Sequence, residues 1–270
     1  MKAIILSAGR GSRLGADDLP KPLWHIGSRS ITDFSPVSFV ERQVECLRSV
    51  GVEQIGVVVG WQKERARERL APLGVTLIEN THPDITASGT SHSFQYAFCS
   101  PWQPLDGKEP VLLMDGDIVY ERRLLESVLR GGADTRIVVA PRTAQDKEEV
   151  RIYANAGRPR LIGKGLAPPL TCGLDLLGEF TGIWYVAPSD HALVQALLTW
   201  LVGVPGGARG YGFARIASEH EEMAQYLMTL GQLEAQVLAP DILFMEVDFQ
   251  EDLQRLQREV YPEILRRDAA

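Results

Sequence analysis

The chain has 270 residues, 45% hydrophobic and 23% charged, a composition that supports a sizeable core and excludes disorder as the main state. Its 28 Lys and Arg against 35 Asp and Glu leave a net charge of −7, which argues against a general nucleic-acid binder or an anionic-membrane binder, since both need a basic surface. Cys46, Cys99 and Cys172 lie far apart and form no disulfide framework; with no apolar run long enough for a leader or a membrane span, the expected location is cytoplasmic.

In chain order, residues 3–7 read as a buried strand. Residues 36–50 read as a helix, with Ser35 as its cap, Pro36 in its first turn and Val40, Val44, Leu47 and Val50 on one face; Gly51 ends it. Residues 55–59 and 75–79 are strand-like, 62–70 and 91–98 helical. Residues 111–114 and 136–140 are further strands around a helix at 122–130. Continuous apolar strands alternating with helices predict a Rossmann-like α/β fold: a mostly parallel twisted sheet flanked by helices. After Val150 the pattern loosens. Gly157-Arg158-Pro159 reads as a hairpin turn, 180–186 as a strand and 192–202 as a helix. Residues 203–212 are a glycine-rich loop, 219–230 helical, 242–247 a late strand and 252–265 a closing helix. The expected organisation is one domain over 1–270, with a nucleotide-binding half at 1–145 and an elaborated acceptor-binding half at 146–270. Leu253, Leu256, Val260 and Ile264 share a helical face and are expected in the core rather than in a seam between chains, although the sequence permits a homodimer.

Three motifs carry chemistry. The first strand runs into Leu6-Ser7-Ala8-Gly9-Arg10-Gly11-Ser12-Arg13-Leu14-Gly15, followed by Pro20-Lys21-Pro22. Gly9 and Gly11 let the backbone approach a phosphate, and Arg13 and Lys21 add positive charge where pyrophosphate would leave. No G-K-[ST] follows, and an Arg stands where a dinucleotide fingerprint has its third glycine, so neither of those loops is present. The second motif, Asp115-Gly116-Asp117, ends a buried strand, where open α/β sheets bind ligands; two carboxylates there suit a hard cation such as Mg²⁺. The third, Glu246-Val247-Asp248, offers a second carboxylate pair, with a helix-cap role for Asp248 as the competing reading.

These strings resemble the nucleotidyltransferases of the sugar-phosphate and choline-phosphate type. Ile162-Gly163-Lys164, Gly178-Glu179-Phe180-Thr181-Gly182-Ile183 and residues 245–253 are similar to the phosphocholine and phosphonate cytidylyltransferase branch; residues 219–227 resemble its acidic helix, with His220 in place of an aromatic. The resemblance implies Mg²⁺-dependent transfer of CMP from CTP to a small phosphate or phosphonate. Gly9, Gly11, Ser12, Arg13 and Lys21 would then hold the triphosphate, with Leu6, Ala8 and Asp115 also in the nucleotide site. Asp117, Glu246 and Asp248 would hold the ion. Asn80 and Ser88-Gly89-Thr90 would meet the base. Lys164 would hold the acceptor; Glu179 reads equally as an acceptor-site group that orients Lys164 and as a surface carboxylate. The catalytic groups implied are Arg13, Lys21 and Lys164.

Gly89-Thr90-Ser91-His92 is closer to sugar-nucleotide enzymes, which leaves a sugar or inositol phosphate as the alternative acceptor, and a non-catalytic nucleotide-binding module as the alternative class. Trp184, Tyr185, Tyr211 and Phe213 are weighed as an aromatic box for a quaternary ammonium against ordinary core packing, which is the better expectation. Glu221 and Glu222 read as a solvated helix face, with lining of the acceptor pocket as the alternative.

Overall fold

The computed structural model describes residues 1–11, 19–85, 87–141, 149–203 and 218–269. The first half contains β1 (Lys2–Ser7), β2 (His25–Ser28), β3 (Pro36–Ser38), α1 (Phe39–Ser49), β4 (Gln54–Val59), α2 (Lys63–Leu70), β5 (Thr76–Glu79), α3 (Thr90–Phe98), β6 (Val111–Asp115), β7 (Ile118–Tyr120), α4 (Arg122–Arg130) and β8 (Arg136–Ala140). The second half contains β9 (Arg151–Asn155), β10 (Arg158–Gly163), the single turn α5 (Pro168–Thr171), β11 (Asp175–Val186), α6 (His191–Gly203), α7 (His220–Leu230), β12 (Glu234–Val237), β13 (Phe244–Glu246), α8 (Gln250–Arg255) and α9 (Tyr261–Ala269).

β1 is buried along its whole length and pairs in parallel with β4 on one side and β6 on the other. Its alternate residues feed two cores. Ile4 and Leu6 join Phe94, Leu113 and Trp184 under α3, α6 and α7. Ala3 and Ile5 join Val44, Leu47, Leu124 and Met114 under α1 and α4. A strand whose both faces are covered must be apolar throughout, which is why the run reads as continuous rather than alternating.

Parallel pairing fails at β11. This 12-residue strand runs antiparallel to β6, β8 and β9, and it splices strands of the two halves into one nine-stranded sheet. β9 and β10 form a hairpin whose turn is Ala156-Gly157, one residue earlier than the Gly-Arg-Pro string suggests. The expected helix at 36–50 is corrected at its start. Ser38 accepts from Glu41 N, and Glu41 accepts from Ser38 N at 2.8 Å, so this capping box starts the helix at Phe39. Pro36–Ser38 is instead an edge strand paired with β2.

A third, smaller core packs Ile26, Val37 and Phe39 against Leu253, Leu256 and Ile264 of the closing helix. Trp184 and Tyr185 face opposite sides of the sheet, one in each main core, so they form no box; Tyr211, Phe213 and most of the glycine-rich loop lie outside the described residues. No helix among the described residues is long and apolar enough to cross a membrane.

Leu256 is fully buried in the third core. Leu256→Ala is expected to lose about 2–5 kcal/mol of stability in urea unfolding, with a midpoint independent of protein concentration. A midpoint that moves with concentration would make this face a seam between chains.

Candidate active site

A cleft of about 1030 Å³ opens at the carboxyl ends of β1 and β6, at the top of the usual range for a ligand pocket and roomy enough for a nucleotide beside a second small molecule. One wall begins where β1 ends. Gly11 takes φ +66°, and a Cβ there would lie 2.5 Å from Lys21 Cβ, so only glycine lets this loop close over the lysine. Pro20 and Pro22 bracket Lys21 in a single 3₁₀ turn, with Leu23 N donating to Pro20 O at 2.9 Å. The rigid turn aims Lys21 inward: it is 7% exposed, and its Nζ lies 2.7 Å from Asp117 Oδ2 and 3.6 Å from Asp248 Oδ1. Burial works to lower the lysine pKa, but the charges of Asp117, Asp248 and Glu246 outweigh it and hold the group above its ordinary value.

The carboxylates come from two ends of the chain. β6 stops at Asp115, and the turn that follows is braced by buried Gln43, whose Nε2 donates to Asp115 O at 3.0 Å and Ile118 O at 3.1 Å. β7 then pairs antiparallel with β13, placing Glu246 opposite Ile118, and Val247 N donates to Asp117 O at 3.2 Å. This two-stranded ribbon delivers the late carboxylates to Asp117. Asp248 does not cap α8: Phe249 holds that position, and Asp252 Oδ2 accepts from Asp248 N at 3.1 Å and Phe249 N at 2.8 Å. Asp117, Glu246 and Asp248 each bring a carboxylate oxygen to within 4.8 Å of the others. Burial, then Asp117 and Asp248, push Glu246 well above the ordinary carboxylate range. Three hard oxygen donors with surplus negative charge are a set that a small divalent cation would relieve.

The opposite wall is the turn Ser88-Gly89-Thr90 at the start of α3, which lines the cleft. Asn80 does not line it. Its Nδ2 donates to Ser88 Oγ at 2.7 Å and Ser93 Oγ at 3.1 Å, and its Oδ1 accepts from His82 N at 3.0 Å. These bonds let Asn80 shape the turn.

The structure adds His220, which the sequence reading assigned to nothing. It is buried against Phe94, Phe180 and Trp184, with Nε2 3.4 Å from Asp115 Oδ2 and 3.7 Å from Glu221 Oε2. Burial opposes its charge, yet Asp115, Glu221 and Glu219 raise its pKa to about 9. Glu221 and Glu222 are buried, not solvated, and Glu221 lines the cleft. The signal available in sequence was the run Glu219-His220-Glu221-Glu222, three acids around one histidine.

At the far end Lys164 follows β10 and lines the cleft. Glu179 lies behind this wall rather than in it, in the field of Glu149, Asp248, Lys164 and Arg151. Of the expected residues, Leu6, Ala8, Gly9, Gly11, Lys21, Ser88, Gly89, Thr90, Asp115, Asp117, Lys164, Glu246 and Asp248 meet in one cleft; Ser12 and Arg13 lie outside the described residues.

Residues 3–200 match the MobA-like NTP transferase domain. The chain belongs to this family. It is 30% identical over 162 residues to CMP-5'-(3-aminopropyl)phosphonate synthase of Streptomyces rubellomurinus, covering 58% of this chain and 23% of that protein. It is 26% identical over 140 residues to CTP:phosphoglutamine cytidylyltransferase of Campylobacter jejuni, covering 52% of each. The chain thus spans about a quarter to a half of the length of these curated relatives. Among solved structures, the inositol-1-phosphate CTP transferase from T. maritima matches over 96% of this chain and 97% of its own at a TM-score of 0.65 and 18% identity. The CTP:phosphocholine cytidylyltransferase from Streptococcus pneumoniae matches at 0.64 and 16%, over 95% and 97%. Both share the fold of this chain.

Glu179 has its pKa raised to about 7, first by burial and then by Glu149 and Asp248. Between the ordinary carboxylate value and that one, the folded chain holds a proton that the unfolded chain has lost, so its contribution to stability falls as pH rises. Glu179→Gln is expected to be more stable relative to wild type at pH 8 than at pH 5 in matched urea titrations. A difference that does not change with pH would contradict this placement.

Proposed function

We propose that the chain is an Mg²⁺-dependent nucleotidyltransferase that moves CMP from CTP to a small phosphonate or phosphocholine-like acceptor and releases pyrophosphate. An acceptor oxygen forms a bond to the α-phosphorus, the bond from that phosphorus to the β-phosphate bridging oxygen breaks, and pyrophosphate leaves with the electron pair. The acceptor is already anionic, so no strong base and no covalent intermediate are needed; positioning and charge neutralisation supply the acceleration.

The observation that carries this reading is the buried Lys21, held at 2.7 Å from Asp117 beside Glu246 and Asp248 at the mouth of the glycine loop. A lysine and a cluster of carboxylates side by side in one cleft supply the two things a metal-bound triphosphate requires: a fixed positive charge and oxygen donors for its ion. Asp117, Glu246 and Asp248 would hold Mg²⁺, which supplies charge neutralisation at the phosphates. Gly9, Gly11 and Lys21 bind the triphosphate, and Ser12 and Arg13 are assigned there by resemblance. Lys164 holds the acceptor anion. The relatives named for CMP-phosphonate and phosphoglutamine chemistry support cytidine and a small acceptor. The Gly89-Thr90 turn favours, as a second reading, a sugar or inositol phosphate at the same site.

The test is pyrophosphate release with Mg²⁺ and CTP, UTP, GTP, ATP or dTTP, against phosphocholine, 2-aminoethylphosphonate, inositol phosphate and sugar 1-phosphates. Product from CTP and a phosphonate or phosphocholine is expected. Product only from another nucleotide and a sugar phosphate would move the chain to the second reading. Lys21→Ala and Asp117→Ala are each expected to lower kcat by at least about a hundredfold while the protein stays folded; near-normal rates in either would overturn the site.

A further inference from the structure

Helix α3 begins at Thr90 with Gly89 in the cap position, and glycine has no side chain to accept from the first amides. The acceptor comes from 129 residues along the chain: Glu219 Oε2 accepts from Thr90 N at 2.9 Å and from Thr90 Oγ1 at 2.7 Å. The contact is reciprocal. Thr90 Oγ1 accepts from His220 N, the first amide of α7, at 2.8 Å, and Ser91 N donates to Ser218 O at 3.2 Å. Each helix start caps the other, with a charge-assisted bond between two helix N-termini.

α7 continues the connection. Its Gln225 Oε1 accepts from Ile162 N at 3.2 Å, and its Nε2 donates to Arg160 O at 3.0 Å. Those backbone groups belong to β10, and Lys164 follows directly after that strand. A hydrogen-bonded path therefore runs from the Gly89 turn through Thr90, Glu219 and α7 to the strand that carries Lys164.

We infer that this clasp couples the two ends of the cleft: nucleotide bound against the Gly89 turn orders the first turn of α7 and, through it, the acceptor wall, with Thr90 and Glu219 as positioning residues. The inference rests on the proposed reading that the Gly89 turn receives the nucleotide. A ligand that fixes Ser88-Gly89-Thr90 also fixes the Thr90 hydroxyl, which both accepts from α7 and donates to Glu219, so its binding free energy is shared with α7. Such sharing makes the two substrates bind synergistically, and the coupling is reciprocal.

The test is amide hydrogen exchange of the full chain with and without CTP and Mg²⁺, in wild type, Thr90→Val and Thr90→Ser. Valine keeps the shape and removes the hydroxyl; serine keeps the hydroxyl. In wild type and Thr90→Ser, CTP is expected to protect residues 88–91 and 218–224 together. In Thr90→Val, which removes the two hydroxyl bonds and keeps the backbone ones, the protection at 88–91 stays and that at 218–224 falls. With the acceptor that wild type turns over, at saturating CTP, Thr90→Val is expected to raise the acceptor KM roughly fivefold or more; Thr90→Ser restores it. Glu219→Gln, whose amide oxygen can still accept from Thr90, is the second variant and is expected to fall between the two. Protection at 88–91 without 218–224 in wild type, or unchanged protection of 218–224 in Thr90→Val, would overturn the coupling. Protection of neither segment by CTP would overturn the nucleotide reading of the turn and the coupling with it.

Discussion

The site depends on one electrostatic constraint: a lysine buried beside three carboxylates that lie close together. Lys21 cannot be left charged in that environment without Asp117 and Asp248, and the carboxylates repel one another without Lys21. The arrangement is held from outside by stiff pieces of backbone. Two prolines fix the lysine turn, Gly11 makes room for it, and Gln43 pins the turn between Asp115 and Ile118. Such a frustrated cluster is stable only because the surrounding fold over-determines it, which is the condition expected of a site built for a ligand of opposite charge distribution.

The fold supplies the same logic on a larger scale. A parallel half alone would place Gly9, Lys21 and Asp117 at the ends of β1 and β6 and leave the far side of the cleft open. β11, antiparallel to β6, β8 and β9, ties the second half to the same sheet. Gly182, at φ +73°, sits against Asp115, where a Cβ would lie 2.4 Å from Oδ2, so the strand that joins the halves also forms the floor beneath a cleft carboxylate. The β7–β13 ribbon then returns Glu246 to Asp117.

What was legible in the sequence follows from how local each signal is. The strands β1, β4 and β6 are continuous apolar runs covered on both faces, and α4 has a clean amphipathic spacing; these are readable from their own residues. The start of α1 was missed by three positions because Ser35 and Pro36 look like a cap and first turn, whereas the reciprocal Ser38–Glu41 pair decides it. β7 and β12 are invisible because short strands owe their existence to partners distant in sequence. The acidic first turn of α7 reads as solvated by composition; only the packing of His220 against Phe94, Phe180 and Trp184 shows that it is buried. Resemblance assigns Asn80 to the base, and the structure shows its amide bonded to Ser88, Ser93 and His82: a motif identifies a residue type near a site but not the direction in which the side chain points.

The central claim is that Asp117, Glu246 and Asp248 act as one cation site facing the nucleotide phosphates. The most direct measurement is a titration with Mn²⁺ followed by electron paramagnetic resonance, with and without CTP, on wild type and Asp117→Asn. The account predicts an ion bound by wild type, tighter in the presence of CTP, and weakened at least about tenfold in Asp117→Asn. Equal Mn²⁺ binding in the two proteins, or no effect of CTP on it, would contradict the account.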